Sequence, residues 1–372
     1  MRILLVQRSM APPGGGNAVA AWMAHALVDQ HEVATLTASP WSPQVTNQFY
    51  GTSIPAHIAR HVIPAPWRWL APLPEDRLTR LRMCSVLHHA RALAAGHDLL
   101  ISADNFAAFP EPGLQYVHFP ALLQPEPAKL SALVKPYFAV CDRLLGAPWT
   151  DAARNLTIAN SEWTAAGLAQ LGEVSRTTVL YPPVVDPGEG LPWDRRDNTF
   201  LCIGRFHPTK RLELAIEIVE RVRASVLADA KLILVGSPVD ARYADKVRAL
   251  AAATGRWIEF KQDLSRAEVN ALIGRSRFGI HAMVGEHFGM ATAEMARAGC
   301  LLFAHNSGGS PEVLNHDPAL LWETVEEAVA RIAAVVASAR AGEISRALRA
   351  YTERFSTGAF SAGIRRLVES RP

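Results

Sequence analysis

Apolar residues along the chain follow two alternating patterns. Short continuous runs such as RILLVQ, residues 2–7, read as strands buried on both faces; between them apolar positions recur at helical spacing. The first half holds strand runs at residues 2–7, 32–37, 99–102, 115–119, 156–160 and 178–181. Pro182-Pro183 stops the last of these, and residues 186–198 (DPGEGLPWDRRDN), rich in proline, glycine and charge, read as a linker. A second series follows, with runs at 199–203, 231–235, 257–261, 278–281 and 301–304 and a helix over 210–223. Two further helices open on capping boxes, Ser265 to Glu268 and Thr324 to Glu327. The alternation predicts an α/β protein of two parallel-sheet domains, 1–185 and 186–350, closed by an amphipathic terminal helix within 351–372.

Composition narrows the class. A chain of 372 residues is too long for one ordinary core and suits two domains. Its 49% hydrophobic and 20% charged residues are those of a soluble globular protein. A net charge of +3 without a Lys/Arg run excludes nucleic acid as the expected partner; it fits anionic ligands or weak peripheral contact with an acidic membrane surface. Cys84, Cys141, Cys202 and Cys300 form no CxxC pair, so buried reduced thiols are expected rather than a metal site or disulfides. MRILLVQ runs straight into a strand, no signal-peptide pattern precedes it and no run of 18 apolar residues occurs. The expected location is cytoplasmic, with the inner face of the membrane open to it. Residues 64–73 (PAPWRWLAPL) place Trp67, Arg68 and Trp69 together, which suits a membrane-contacting or acceptor lip, or a proline-rich loop packed on its own domain.

The candidate chemistry lies where strands run into helices. Residues 285–294, GEHFGMATAE, set Glu286 in a loop and Glu294 inside the helix that follows. Gly289 lets the backbone approach a ligand, and the main-chain N–H groups of Phe288, Gly289, Met290 and Ala291 point at an anion with the helix dipole behind them. One carboxylate is then free to accept from sugar hydroxyls and the other to grip a ribose diol. Residues 204–210, GRFHPTK, offer Arg205 as a fork and Lys210 as a point charge to a diphosphate. A third loop, residues 307–312 (SGGSPE), caps a strand; its glycines suit either close approach to a nucleotide or a tight turn. Gly236 closes the 231–235 strand and is a further donor-side candidate. In the first half, PPGGGN at 12–17 places Gly15 and Gly16 in an anion-friendly turn that is neither GxGxxG nor a P-loop. His118, at the end of YVHFP, suits a sugar hydroxyl or a structural hydrogen bond.

Taken together, the 204–210 loop, the Glu286-x7-Glu294 pair and Gly308-Gly309-x-x-Glu312 resemble glycosyltransferase family 4, of the GT-B fold, over nearly the whole chain. YVHFP, VLYPP, EHFGMATAE and AHNSGG look most like the α-1,2-mannosyltransferases of lipid-linked oligosaccharide assembly. The resemblance implies two Rossmann-like domains facing a central cleft, with the terminal helix returning to the first. It implies a retaining, metal-independent transfer from a nucleotide-diphosphate sugar, GDP-mannose foremost, to a saccharide or lipid-linked acceptor, with no other cofactor. It also implies that Arg205 and Lys210 steady the leaving diphosphate, Glu286 holds the transferring sugar, Glu294 holds the ribose, and His118 touches the sugar from the first domain. Other sugar-nucleotide enzymes of this fold, an epimerase or a phosphorylase, and a non-catalytic binding partner remain as alternatives. The oligomeric state is open.

Overall fold

The structure, a computed structural model, describes residues 1–64, 78–119, 135–147, 149–171, 176–188 and 190–370. The chain divides into two units, Met1–Pro183 with Thr357–Pro372, and Val184–Ser356.

The first unit is built on β1 (Arg2–Val6), β2 (Glu32–Thr37), β3 (Ala59–Val62), β4 (Leu99–Ser102), β5 (Leu114–Val117), β6 (Leu156–Ala159) and β7 (Thr177–Val179). All pairs are parallel, and the strands run in the order β3-β2-β1-β4-β5-β6-β7. Ile3, Leu4 and Leu5 of β1 have no exposed surface, so helices must cover both faces, as a parallel sheet requires. Helix Gly15–Leu27 packs against helix Thr357–Glu369, and the Arg365 guanidinium donates to the Ala26 carbonyl at 2.6 Å. The terminal helix thus belongs to the first unit: Phe360 meets the Tyr116 ring edge-on, and Gly363 lies against Leu180.

The second unit repeats the plan with β8 (Asp197–Ile203), β9 (Lys231–Val235), β10 (Ile258–Lys261), β11 (Ser276–His281), β12 (Leu301–His305) and β13 (Leu321–Trp322), parallel throughout, in the order β10-β9-β8-β11-β12-β13. Phe200, Phe278 and Phe303 from three adjacent strands join a core with Leu212, Ile216 and Val219 of helix Leu212–Ser225. In both sheets the strand order reverses at the first strand of the series. β1 lies between β2 and β4, and β8 lies between β9 and β11. Connections leaving such a point go to opposite faces and open a crevice at the strands' C-terminal ends, where ligands of open α/β sheets bind.

The expected linker at 186–198 is packed rather than free. Leu191 N–H donates to the Gly274 carbonyl, and Arg196, 7% exposed, spreads its guanidinium over the carbonyls of Leu191, Ser276 and Ala298. Proline and glycine mark the lack of repeating backbone there, not a lack of contacts. Val184 bridges to Ser356, and residues 352–355 form a turn inside the second unit, so the terminal helix starts at Thr357. β3 and β13 escape the hydrophobic pattern because one is an edge strand with no buried residue and the other has two residues. The four cysteines are buried and free. Cys84 and Cys141 meet between helices Thr79–Leu93 and Lys135–Leu145, and the hydrogen bond between them with burial pushes the Cys84 thiol up. Trp67, Arg68 and Trp69 lie outside the described residues. Among the described residues no helix is long and apolar enough to cross a membrane.

Candidate active site

The second unit's site grows from the ends of β8, β11 and β12. β11 ends at His281, and the chain turns through residues 282–289 into helix Met290–Arg297. Gly289 sits at φ 92°, in the left-handed region, and a side chain there would also press on Thr292 and Glu286. The helix has no side-chain cap, so its first turn keeps donors for an anion. Met290 and Ala291 belong to that turn. Phe288 is 2% exposed and packs edge-on against Phe355 at 5.2 Å; its ring anchors the loop, and only its main chain is left for the site.

Glu286 is the electrostatic centre. Lys210 donates from Nζ to Glu286 Oε2 at 2.5 Å, and His281 Nε2 lies 3.1 Å from the same oxygen. The glutamate and lysine side chains are 13% and 19% exposed. Burial alone pushes the Glu286 carboxyl up. The His281 hydrogen bond and the Lys210 ammonium overcome it, and the group is held far below the usual carboxylate range. Glu286 is therefore an acceptor only, with Oε1 left to take a hydroxyl.

Lys210 was expected on the diphosphate alone. An ammonium carries three donors, and Glu286 uses one, so the structure adds a partner to the lysine without exhausting it. Arg205 is exposed and makes no ion pair among the described residues. It follows β8 on Gly204, whose carbonyl lies so close to Gly236 that a Cβ at Gly236 would come within 1.8 Å of it. Gly236 thereby lets the β8 and β9 ends meet, which is a backbone role beside the donor role expected of it.

The 307–312 loop holds the Glu286 loop. Gly309 N–H donates to the Glu286 carbonyl at 2.6 Å, and Gly285 N–H donates to Ser307 Oγ at 2.8 Å. Gly308 has φ 69°, and a Cβ on it would lie 2.1 Å from the Glu286 carbonyl oxygen. The close approach made by these glycines is therefore to the Glu286 loop itself.

Glu294 lies one turn into helix Met290–Arg297 and is 12% exposed. Arg266, first residue of helix Arg266–Arg275, pairs with it: Nη1 donates to Oε2 at 3.0 Å, and Nη2 lies 2.9 Å from Oε1 as an ion-pair contact. Sequence reasoning missed Arg266 and His281 as site residues, and took Ser307 only as the start of the 307–312 loop. His281 carried a faint signal, a polar residue ending an apolar strand. Arg266 carried none beyond its place in the Ser265–Glu268 capping box, which is present in full.

In the first unit, helix Gly15–Leu27 starts after Gly14, also without a side-chain cap. A Cβ at Gly16 would lie 3.4 Å from His118 Nε2, so the glycine loop and the histidine adjoin. His118 Nε2 is 2.8 Å from the Ala103 carbonyl. A carbonyl only accepts, so Nε2 carries the proton and Nδ1 is the acceptor. Burial lowers the His118 pKa, and the ring is neutral at physiological pH. Its main chain is fixed by Asn105 and Asn160 at 2.8 Å each. Among the described residues no three His, Cys, Asp or Glu side chains converge as a metal site would need.

Residues 189–355, nearly all of the second unit, match the family model of glycosyl transferases group 1. The whole chain has the GT-B fold. It is 18% identical to Anabaena HepE in complex with UDP and glucose, with a TM-score of 0.72 and 99% of each chain covered. Against sucrose-phosphate synthase from Thermosynechococcus elongatus the TM-score is 0.74 at 17% identity, covering 99% of this chain and 98% of that one. Within that class it is similar to GDP-Man:Man(3)GlcNAc(2)-PP-Dol alpha-1,2-mannosyltransferases. The Xenopus laevis protein is 30% identical over 43% of this chain and 36% of its own length. The human protein is 28% identical over 58% and 48%. The chain thus spans about a third to a half of the length of these curated relatives.

Proposed function

We propose that the protein is a retaining glycosyltransferase that moves a hexose, with mannose the best supported, from a nucleotide-diphosphate donor to a saccharide or lipid-linked acceptor. The observation that carries this reading is the ionised Glu286, held between Lys210 and His281 beside an uncapped helix N-terminus in a glycosyl transferases group 1 domain. Its similarity to proteins named as GDP-mannose-dependent enzymes supports mannose.

On this reading Glu286 Oε1 accepts from a sugar hydroxyl and keeps the reacting carbon in place. The bond from the anomeric carbon to the diphosphate oxygen breaks, and the bond to the acceptor oxygen forms on the same face. The acceptor proton passes to the leaving diphosphate. Arg205, the spare donors of Lys210 and the N–H groups of the first helical turn stabilise the charge that builds on that leaving group. Glu294 holds the ribose diol. The neutral His118, beside Gly15 and Gly16, offers Nδ1 to a hydroxyl. No metal or further cofactor enters the scheme.

The test is transfer from GDP-mannose to saccharide and lipid-linked acceptors, with the anomeric configuration of the product read by NMR. Retention supports the proposal; inversion, or sugar release with every acceptor and every nucleotide sugar, contradicts it. Glu286→Gln is expected to reduce kcat by about 10²–10³-fold while donor affinity changes little.

A further inference from the structure

The ion pair of Arg266 with Glu294 lies near the site and is left unused by the scheme above. One hydrogen bond, Nη1 to Oε2 at 3.0 Å, and one ion-pair contact, Nη2 to Oε1 at 2.9 Å, join helix Arg266–Arg275 to helix Met290–Arg297. Arg266 is 28% exposed and Glu294 12%. A two-point contact of this kind restrains the plane of a carboxylate as well as its position, because the guanidinium is flat. A carboxylate has room for about four hydrogen bonds on its two oxygens, so acceptor directions stay open on both here.

Two vicinal hydroxyls suit an acceptor of this kind: two coplanar oxygens that cannot swing away. We propose that Arg266 is a positioning residue that orients Glu294 to accept both hydroxyls of a ribose cis-diol, and that the fork thereby makes the site discriminate ribonucleotides from their deoxy analogues. This rests on the donor-site reading of Glu294 given above. Without the fork the carboxylate rotates about its terminal torsion and offers one oxygen at a time. A lysine in place of the arginine restores the charge but not the plane.

The experiment is calorimetric titration of the full chain with GDP and UDP and with their 2′-deoxy and 3′-deoxy forms. It uses wild type, Arg266→Met, Arg266→Lys and Glu294→Gln. Wild type is expected to bind the ribonucleotide about tenfold or more tighter than either deoxy form, the loss of one charge-assisted hydrogen bond. Arg266→Met is expected to weaken the ribonucleotide alone, so that the ratio falls towards one. Arg266→Lys is expected to do the same despite keeping its charge, and Glu294→Gln to match Arg266→Met. Equal weakening of ribo and deoxy forms in Arg266→Met would reduce the arginine to a structural or phosphate contact and overturn the proposal. An unchanged ratio would also overturn it. Wild type that binds no nucleotide overturns the donor reading itself, a result distinct from either of these.

Discussion

Glu286 stays charged at a mostly buried position because two neighbours outweigh its desolvation, and this balance has a pH signature. Its native pKa lies far below the unfolded value of about 4.3, so the stability it contributes is present above that value and fades as acid protonates it. Lys210→Met strips one partner and leaves a buried anion. The variant is expected to lose about 3 kcal/mol at neutral pH, as breaking a buried pair does. The deficit should shrink below about pH 4 as Glu286 takes a proton. Urea unfolding at pH 7 and pH 3.5 measures both; a deficit independent of pH would mean that the ammonium does not act on Glu286. His118 has the opposite sensitivity. It is held neutral, so as pH falls below about 6.5 the unfolded chain binds a proton that the native state refuses, and stability drops. His118→Gln is expected to flatten the fall in Tm between pH 7.5 and pH 5.5, whatever it does at neutral pH.

At the scale of elements, the strand-end loops form one interlocked set. Gly308 cannot gain a methyl without entering the Glu286 carbonyl, and Gly236 cannot gain one without entering the Gly204 carbonyl. Both glycine-to-alanine variants should destabilise the second unit by more than 2 kcal/mol, roughly the cost of a strained, overpacked site. On the proposed reading Gly308→Ala should also cut donor affinity, because its clash falls on the Glu286 loop. Wild-type Tm and wild-type donor affinity in Gly308→Ala would contradict the interlock. Ser265→Ala, at an exposed capping box, should cost only about 1 kcal/mol.

These elements also show what a sequence can reveal. Glu286, Phe288, Gly289 and Glu294 lie within one strand-to-helix turn, so the glycine, the aromatic and the position together, rather than the bare spacing of the glutamates, mark a site in the sequence. The alternation of short apolar runs and helices likewise exposed both sheets. Lys210 meeting Glu286, Arg266 meeting Glu294 and Gly309 meeting the Glu286 carbonyl depend on which strand ends adjoin. No local period carries that information. It follows from β8 lying beside β11 and β11 beside β12. The 186–198 segment shows the same limit: its composition describes its backbone, while its packing against Gly274, Ser276 and Ala298 comes from residues distant in the chain.

For the whole molecule, two parallel sheets of like strand order each carry an uncapped glycine-led helix by the reversal, after β1 in the first and after β11, the neighbour of β8, in the second. Among the described residues, only the second carries a pair of mostly buried glutamates, each set by a cation, within the stretch that matches the group 1 family model. That asymmetry argues that the nucleotide-sugar belongs to the second unit. The central claim is thus that a nucleoside diphosphate binds there through Glu294 and the first turn of helix Met290–Arg297. The most direct test is thermal unfolding of wild type and Glu294→Ala with GDP, UDP, ADP and dTDP and their common sugar conjugates. One nucleotide, GDP foremost, is expected to raise the wild-type Tm by several degrees, roughly what saturation at about 100 Kd gives, and to lose most of that effect in the variant. No shift with any nucleotide, or an equal shift in Glu294→Ala, would contradict it.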